Sequence, residues 1–227
     1  MKLKILLFLF CLTAQAKILD VPRIEQETDS WCWLASSAMV NTYHGVCILG
    51  KEPDMQCSTI HYMATSGKLP PRCLYDCLSC NYGLYDMKNI NIPLDKYSKE
   101  SSLNCGHSVT SVLSNESATI EQLKREIDNN RPLMAGINPS LHGKKSIPEH
   151  MVVIIGYTDA DYTVKSDTVR DKVFLVRVND PISNYFSDPY RAVGATKIDT
   201  GVYDVPYEEL VKSLAWQTTI FVTPNID

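Results

Sequence analysis

The chain has 227 residues, with 22 Lys and Arg against 26 Asp and Glu and a formal net charge of −4. That acidic balance excludes an electrostatic hold on nucleic acid or on anionic lipid, and the length suits one domain or two lobes sharing a core. Beyond the N-terminus no apolar run approaches the roughly 20 residues needed to cross a bilayer as a helix; the best, "MVVIIGY" at 151–157, is strand-length.

The first element is "MKLKILLFLFCLTAQA". Lys2 and Lys4 precede an apolar run from Ile5 to Leu12, and Ala14-Gln15-Ala16 is a small-x-small cleavage site. This is the layout of a secretory signal peptide over 1–16, removed to leave a chain beginning at Lys17, and it predicts an extracellular or periplasmic protein. Phe10 is too bulky to precede a lipoprotein-type Cys11. The chain has eight cysteines, and Cys11 leaves with the signal. The remainder is an odd set. Cys47, Cys57, Cys73, Cys77, Cys80 and Cys105 cluster and can form three disulfides in an oxidising compartment, with the connectivity open. Cys32 stands outside the cluster.

Residues 17–30 read as extended, with Pro22 setting a non-helical entry. From Cys32, small or apolar residues at Ala35, Ala38, Met39 and Tyr43 recur along one helix face, and Gly45 ends it. The span 46–106 is rich in Cys, Pro and turn residues and predicts short helices and loops held by covalent bridges. Seven serines in 98–117 mark a composition break, taken as the boundary between a first lobe at about 17–110 and a second at about 115–227. Thr119 and Gln122 fit a capping box, opening a helix with Ile120, Leu123 and Ile127 on one side. Pro132 stops it. "LMAGI", "HMVVIIGY", "KVFLVRVNDP" and "WQTTIFVTP" follow as strands.

Cys32 heads its helix, between Trp31 and Trp33. A thiolate at a helix N-terminus feels the partial positive charge there, which suits a nucleophile. Such a nucleophile needs a base, usually His, and a group that orients the His. The chain offers His44, His61, His107, His142 and His150. His150 opens a strand, on a rigid mount, and Asn179 and Asp180 end the next strand before Pro181. Adjacent antiparallel strands would bring either beside His150, where it would fix the imidazole tautomer and stabilise the charged ring. Singly, each of these residues has a plainer reading: a buried core thiol, a surface or capping His, an Asn-Asp-Pro turn. Their combination in this order favours chemistry. The cluster Cys73-x3-Cys77-x2-Cys80, with Cys57, Cys105 and His61 or His107, is also compatible with a structural zinc, though export and even parity favour disulfides. His44, His61, His107 and His142 otherwise carry no functional signal. Asn115-Glu116-Ser117 is a glycosylation sequon, meaningful only in a eukaryotic host.

With Gln26 six positions before Cys32-Trp33, the sequence resembles the papain-like cysteine proteases, and the "Q-E-T-x-x-W-C-W" form and the Asp-Pro strand end look closest to bacterial secreted and effector-type members and to leader-processing peptidases. The resemblance covers about 22–43 and 119–181; 46–106 matches nothing in it. It implies an α+β, two-lobed fold: a helical, disulfide-rich lobe carrying Cys32 and an antiparallel β lobe carrying His150. It implies that Gln26 and the Cys32 backbone N–H form an oxyanion hole, where two donors converge on one developing charge. It favours Asp180 as the orienting residue, with Asn179 the alternative. Two features depart from the family's plant and lysosomal members. Asp29-Ser30-Trp31-Cys32-Trp33 stands where they have Cys-Gly-Ser-Cys-Trp, and Asn179-Asp180-Pro181 where they have Asn-Ser-Trp. No long segment precedes Gln26, so an inhibitory pro-segment is not expected.

The expected function is a secreted thiol hydrolase of peptides or amides, acting without metal or cofactor through a thioester on Cys32. Its partner is a protein or peptide substrate, not nucleic acid or membrane. The same apparatus would serve a deamidase or transamidase, and a catalytically silent peptide-binding module would keep the same fold.

Overall fold

The structure is a computed structural model that describes residues 15–83, 87–138, 150–163, 170–183, 185 and 188–226. The N-terminal run to residue 14, on which the signal-peptide expectation rests, and His142 lie outside the described residues. Among the described residues no helix is long and apolar enough to cross a membrane.

The α+β expectation is met. A sheet with strand order β2-β8-β3-β4-β5-β7-β6 forms one layer, with β1 paired to β4 off that path, and every pairing is antiparallel. The strands are β1 (Ala16–Ile18), β2 (His107–Ser114), β3 (Leu133–Ile137), β4 (His150–Thr163), β5 (Arg170–Asn179), β6 (Thr196–Asp199), β7 (Val202–Pro206) and β8 (Thr218–Ile226). All five residues of β3 are buried. Such a strand is covered on both faces, which is why "LMAGI" is a continuous apolar run with no alternation. β4 is the hub: its first residues pair with β3, and its later ones with β5 on one side and β1 on the other. Gly156 lets β1 pass, because a Cβ there would lie 2.6 Å from the Lys17 carbonyl and 2.9 Å from Ile18 Cα.

Helix α1 (Cys32–Tyr43) lies against β4, where Ser36 Oγ donates to the Met151 carbonyl at 3.1 Å. Every residue from Trp33 to Asn41 is buried. The single apolar face expected from sequence is therefore an underestimate. The helix is enclosed on all sides, and Ala35, Ser36, Ser37 and Ala38 are small because neighbours approach closely. The capping box of α4 (Ile120–Asp128) forms as expected, with Gln122 N–H donating to Thr119 Oγ1 at 3.2 Å and Thr119 N–H to Gln122 Oε1 at 2.8 Å.

The span 46–106 holds α2 (Met55–Thr65), short helical turns, and α3 (Tyr97–Cys105). Asp54 caps α2 by accepting from Cys57 N–H at 2.9 Å. All six clustered cysteines pair, as Cys47–Cys105, Cys57–Cys77 and Cys73–Cys80, so no thiolate set remains there for zinc. The serine-rich stretch runs from α3 into β2, which pairs with β8 from His107↔Ile226 to Ser114↔Thr219. Ser108 and Val109 are buried while Thr110 and Val112 are exposed, so the serines and threonines dress an edge strand. The short α5 (Pro189–Ala192) and α6 (Tyr207–Lys212) complete the chain.

Candidate active site

Cys32 is the first residue of α1, half-buried, and the only free cysteine among the described residues. Its two tryptophans are anchors. Trp31, fully buried, is the N-cap and donates Nε1–H to the Cys80 carbonyl at 3.0 Å; Trp33 donates Nε1–H to the Tyr82 carbonyl at 3.2 Å. The indoles thus pin the helix start, from both sides of Cys32, to the strand of chain leaving the Cys73–Cys80 disulfide. No side chain caps the helix; Leu34 N–H turns back to the Trp31 carbonyl at 3.0 Å, which leaves the Cys32 and Trp33 amides of the first turn for a ligand.

His150 opens β4 and Asp180 follows the end of β5. The register pairs Val153 with Asn179, so both side chains fall at the same end of the strand pair. His150 Nε2 and Asp180 Oδ1 lie 2.9 Å apart, in a site where His150 is 8% exposed and Asp180 fully buried. Cys32 sits close enough to the same ring to help raise its pKa. Nε2 is engaged by Asp180, which leaves Nδ1 as the nitrogen open to another partner. Burial alone would lower the His150 pKa, but the charge and hydrogen bond of Asp180, reinforced by Cys32, outweigh it and raise the value to about 10. Asp180 moves the opposite way. Burial pushes it up, and the His150 charge, the His150 hydrogen bond and the hydrogen bonds of Tyr190 and Tyr185 bring it below its ordinary value.

Of the two neighbours left open by the sequence, Asp180 faces the imidazole. Asn179 points to the other side of the strand, as alternation requires, and donates Nδ2–H to the Val21 carbonyl at 3.0 Å. The Asp180 carboxylate is fully occupied. Oδ1 also accepts from Ile182 N–H at 2.7 Å, and Oδ2 accepts from Tyr190 at 2.6 Å and Tyr185 at 2.7 Å. The Tyr185 hydroxyl also lies 3.1 Å from His150 Nε2. Burial, and then the Asp180 charge, raise the pKa of both tyrosines, so they stay protonated as donors. The backbone is clamped as well: Asp180 N–H donates to Gly201 O at 2.7 Å, and Arg23 Nε–H donates to Asp180 O at 2.9 Å. Gly201 has φ +67°, and a Cβ there would fall 2.0 Å from Arg23 Nε and 2.6 Å from Asp180 O. Only glycine fits this turn between β6 and β7.

Gln26 is tied to the same strip of chain, its N–H donating to Pro181 O at 3.1 Å. Its Nε2 donates to the Thr28 carbonyl at 2.9 Å. An amide nitrogen carries two hydrogens, so one remains for a ligand. Its Oε1 is buried without a partner among the described residues.

Of the other histidines, the described residues include His44, His61 and His107. His44 ends α1, and burial lowers its pKa to about 4. His61 Nδ1 meets Glu52 at 2.7 Å, and the His107 ring packs on Gly45. One cluster has metal-like spacing, Glu27, Asp54 and Cys57, with ligand atoms within 4.8 Å of one another, but Cys57 is spent in its disulfide. Sequence reasoning missed Tyr185, Tyr190, Arg23 and Gly201. None carries a local motif; the "NDP" strand end merely gives way to a stretch in which Tyr185 and Tyr190 look like ordinary loop aromatics.

A thiol at a helix start, beside an imidazole that is hydrogen-bonded to a buried carboxylate, defines the site class of a cysteine hydrolase. The chain belongs to the Peptidase_C39-like family, whose model matches residues 18–211, and is a cysteine peptidase by that membership. Similar solved structures include a double-glycine-motif protease from an AMS/PCAT transporter, in complex with the leader peptide, at 16% identity, TM-score 0.41, and 92% of this chain and 95% of that one covered. Another is a C39-like peptidase from Bacillus anthracis at 18% identity, TM-score 0.46, with 94% of this chain and 100% of that one covered. No curated protein matches the chain.

Proposed function

We propose that the protein is an exported thiol peptidase that cleaves peptide bonds through a thioester on Cys32. His150 already holds the thiol proton as an imidazolium when the sulfur attacks the scissile carbonyl carbon, and the carbonyl oxygen becomes an oxyanion held by Gln26 Nε2–H and the Cys32 N–H. His150 then gives its proton to the leaving amine. In the second half it draws a proton from water, which attacks the thioester and releases the acid product. Asp180 holds the imidazole in the productive tautomer and stabilises its charged form. The observation that carries this reading is Cys32 at a helix start beside His150, whose ring is hydrogen-bonded to a fully buried Asp180. Pairing of six cysteines supports an oxidising compartment, in line with the secretory layout of residues 1–16.

The test is a proteome-derived peptide library incubated with the wild type and with Cys32→Ala, with products read by mass spectrometry. New peptide termini that appear only with the wild type are expected. Deamidated but uncut peptides would make it a deamidase instead, and peptides retained unchanged would make it a binding module.

A further inference from the structure

The stretch between Gln26 and Cys32 makes a tight turn, Trp31 N–H donating to Thr28 O at 3.2 Å. That Thr28 carbonyl also accepts one N–H of Gln26 at 2.9 Å. Besides the Trp31 indole on the Cys80 carbonyl, one atom holds the 28–30 part of the turn from outside. Asn81 Oδ1 accepts from Thr28 Oγ1 at 2.8 Å and from Ser30 N–H at 3.0 Å. One amide oxygen has two lone pairs, so both bonds form on it together. Asn81 is in turn fixed on either side, because Cys80 O and Tyr82 O are the acceptors of the Trp31 and Trp33 indoles and Cys80 is disulfide-bonded to Cys73. Asn81 itself is exposed. Hydrogen bonds at exposed positions add little to folding, so their main consequence here is geometric.

We propose that Asn81 is a positioning residue for the oxyanion donor. It fixes the 28–30 turn, the Thr28 carbonyl of that turn takes one hydrogen of the Gln26 amide, and the other hydrogen is thereby aimed for the substrate oxyanion. The disulfide-bridged segment is on this account part of the catalytic geometry. The inference rests on the reading of Gln26 as oxyanion donor.

The test compares Asn81→Ala, Asn81→Asp and Gln26→Ala with the wild type on a peptide that the wild type cleaves, alongside the rate of Cys32 alkylation by iodoacetamide. Alkylation needs the nucleophile but forms no oxyanion. Displacing a reacting group by 1 Å costs up to about 10²-fold, so Asn81→Ala is expected to lower kcat about tenfold with KM within about twofold. Its alkylation rate should be unchanged. Asn81→Asp, whose carboxylate accepts both hydrogen bonds and whose exposed charge is screened, should stay within about threefold of wild type. Wild-type kcat in Asn81→Ala beside an impaired Gln26→Ala overturns this inference and leaves the oxyanion reading intact. Equal loss of turnover and alkylation in Asn81→Ala also overturns it, since that reports a distorted helix start, and so does an Asn81→Asp as poor as the alanine variant. Wild-type kcat in Gln26→Ala would remove the oxyanion reading itself.

Discussion

Tyr190 donates a 2.6 Å hydrogen bond to Oδ2 of Asp180, the carboxylate whose other oxygen meets His150. Tyr190 is fully buried and stacks on Tyr203 with ring centroids 4.1 Å apart, so its hydroxyl has little freedom to leave. Hydrogen bonds of this kind hold Asp180 ionised below its ordinary value. Tyr190→Phe should therefore move the acid limb of the kcat/KM profile to higher pH. It should also cost about 1–3 kcal/mol of stability, the penalty for stripping a buried charged acceptor of a donor. Tyr185→Phe should move the limb the same way, and the double variant further. pH–rate profiles and urea titrations read both effects; an unmoved acid limb in the double variant would deny the tyrosines this role.

Asp180 and Asn179 should separate by kind of damage. Asp180→Ala and Asp180→Asn should lose most activity, the second because a neutral amide does not stabilise the imidazolium as a carboxylate does. Asn179→Ala should keep most of its kcat but lose about 1–3 kcal/mol of stability, because the buried Val21 carbonyl loses its donor. Steady-state kinetics beside chemical denaturation distinguishes the two.

The disulfides should also divide. Cys47–Cys105 closes a separation of 58 residues and touches nothing in the site. By chain entropy, its removal as Cys47→Ser/Cys105→Ser should cost about 4 kcal/mol with kcat preserved in the folded fraction. Cys73–Cys80 spans only 7 residues, worth about 2–3 kcal/mol on the same scale. Yet Cys73→Ser/Cys80→Ser should lower kcat, since Cys80 and Tyr82 anchor both tryptophans beside Cys32.

Stability should peak near neutral pH and fall on both flanks. His150 is raised from 6.5 to about 10, so its contribution is complete below 6.5 and is lost as pH rises through about 10. His44 is lowered from 6.5 to about 4, so between those values the unfolded chain binds a proton that the folded chain refuses, and stability falls with falling pH. Asp180, held below its ordinary value, adds a further loss once pH drops under about 3.8. In a Cys32→Ala background, which prevents self-cleavage, His44→Gln should flatten the slope of Tm between pH 6.5 and 4. An unchanged slope would remove His44 from the account.

What could be read from sequence was local. Cysteine parity isolated Cys32, a short motif placed Gln26 before it, and a strand start exposed His150. Asp180 against Asn179 stayed open because a strand broken by Pro181 gives no phase from which to tell its two faces; the register with β4 supplies it. The groups that hold the site are non-local and carry no periodic signal. Arg23 and Gly201 meet at Asp180 from sequence positions far from it and from each other, and Asn81 reaches the 28–30 turn from the bridged segment. β2 carries little strand signal in the sequence because Ser and Thr supply half of its residues.

The most direct measurement is a comparison of Cys32 modification with loss of peptidase activity. A peptidyl vinyl sulfone built on a peptide that the wild type cleaves should modify one residue, mapped by mass spectrometry to Cys32. Activity should fall in proportion to its occupancy, and His150→Ala should react far more slowly. Peptidase activity that survives complete modification of Cys32, or inactivation that maps to another residue, would contradict the assignment of Cys32 as the nucleophile.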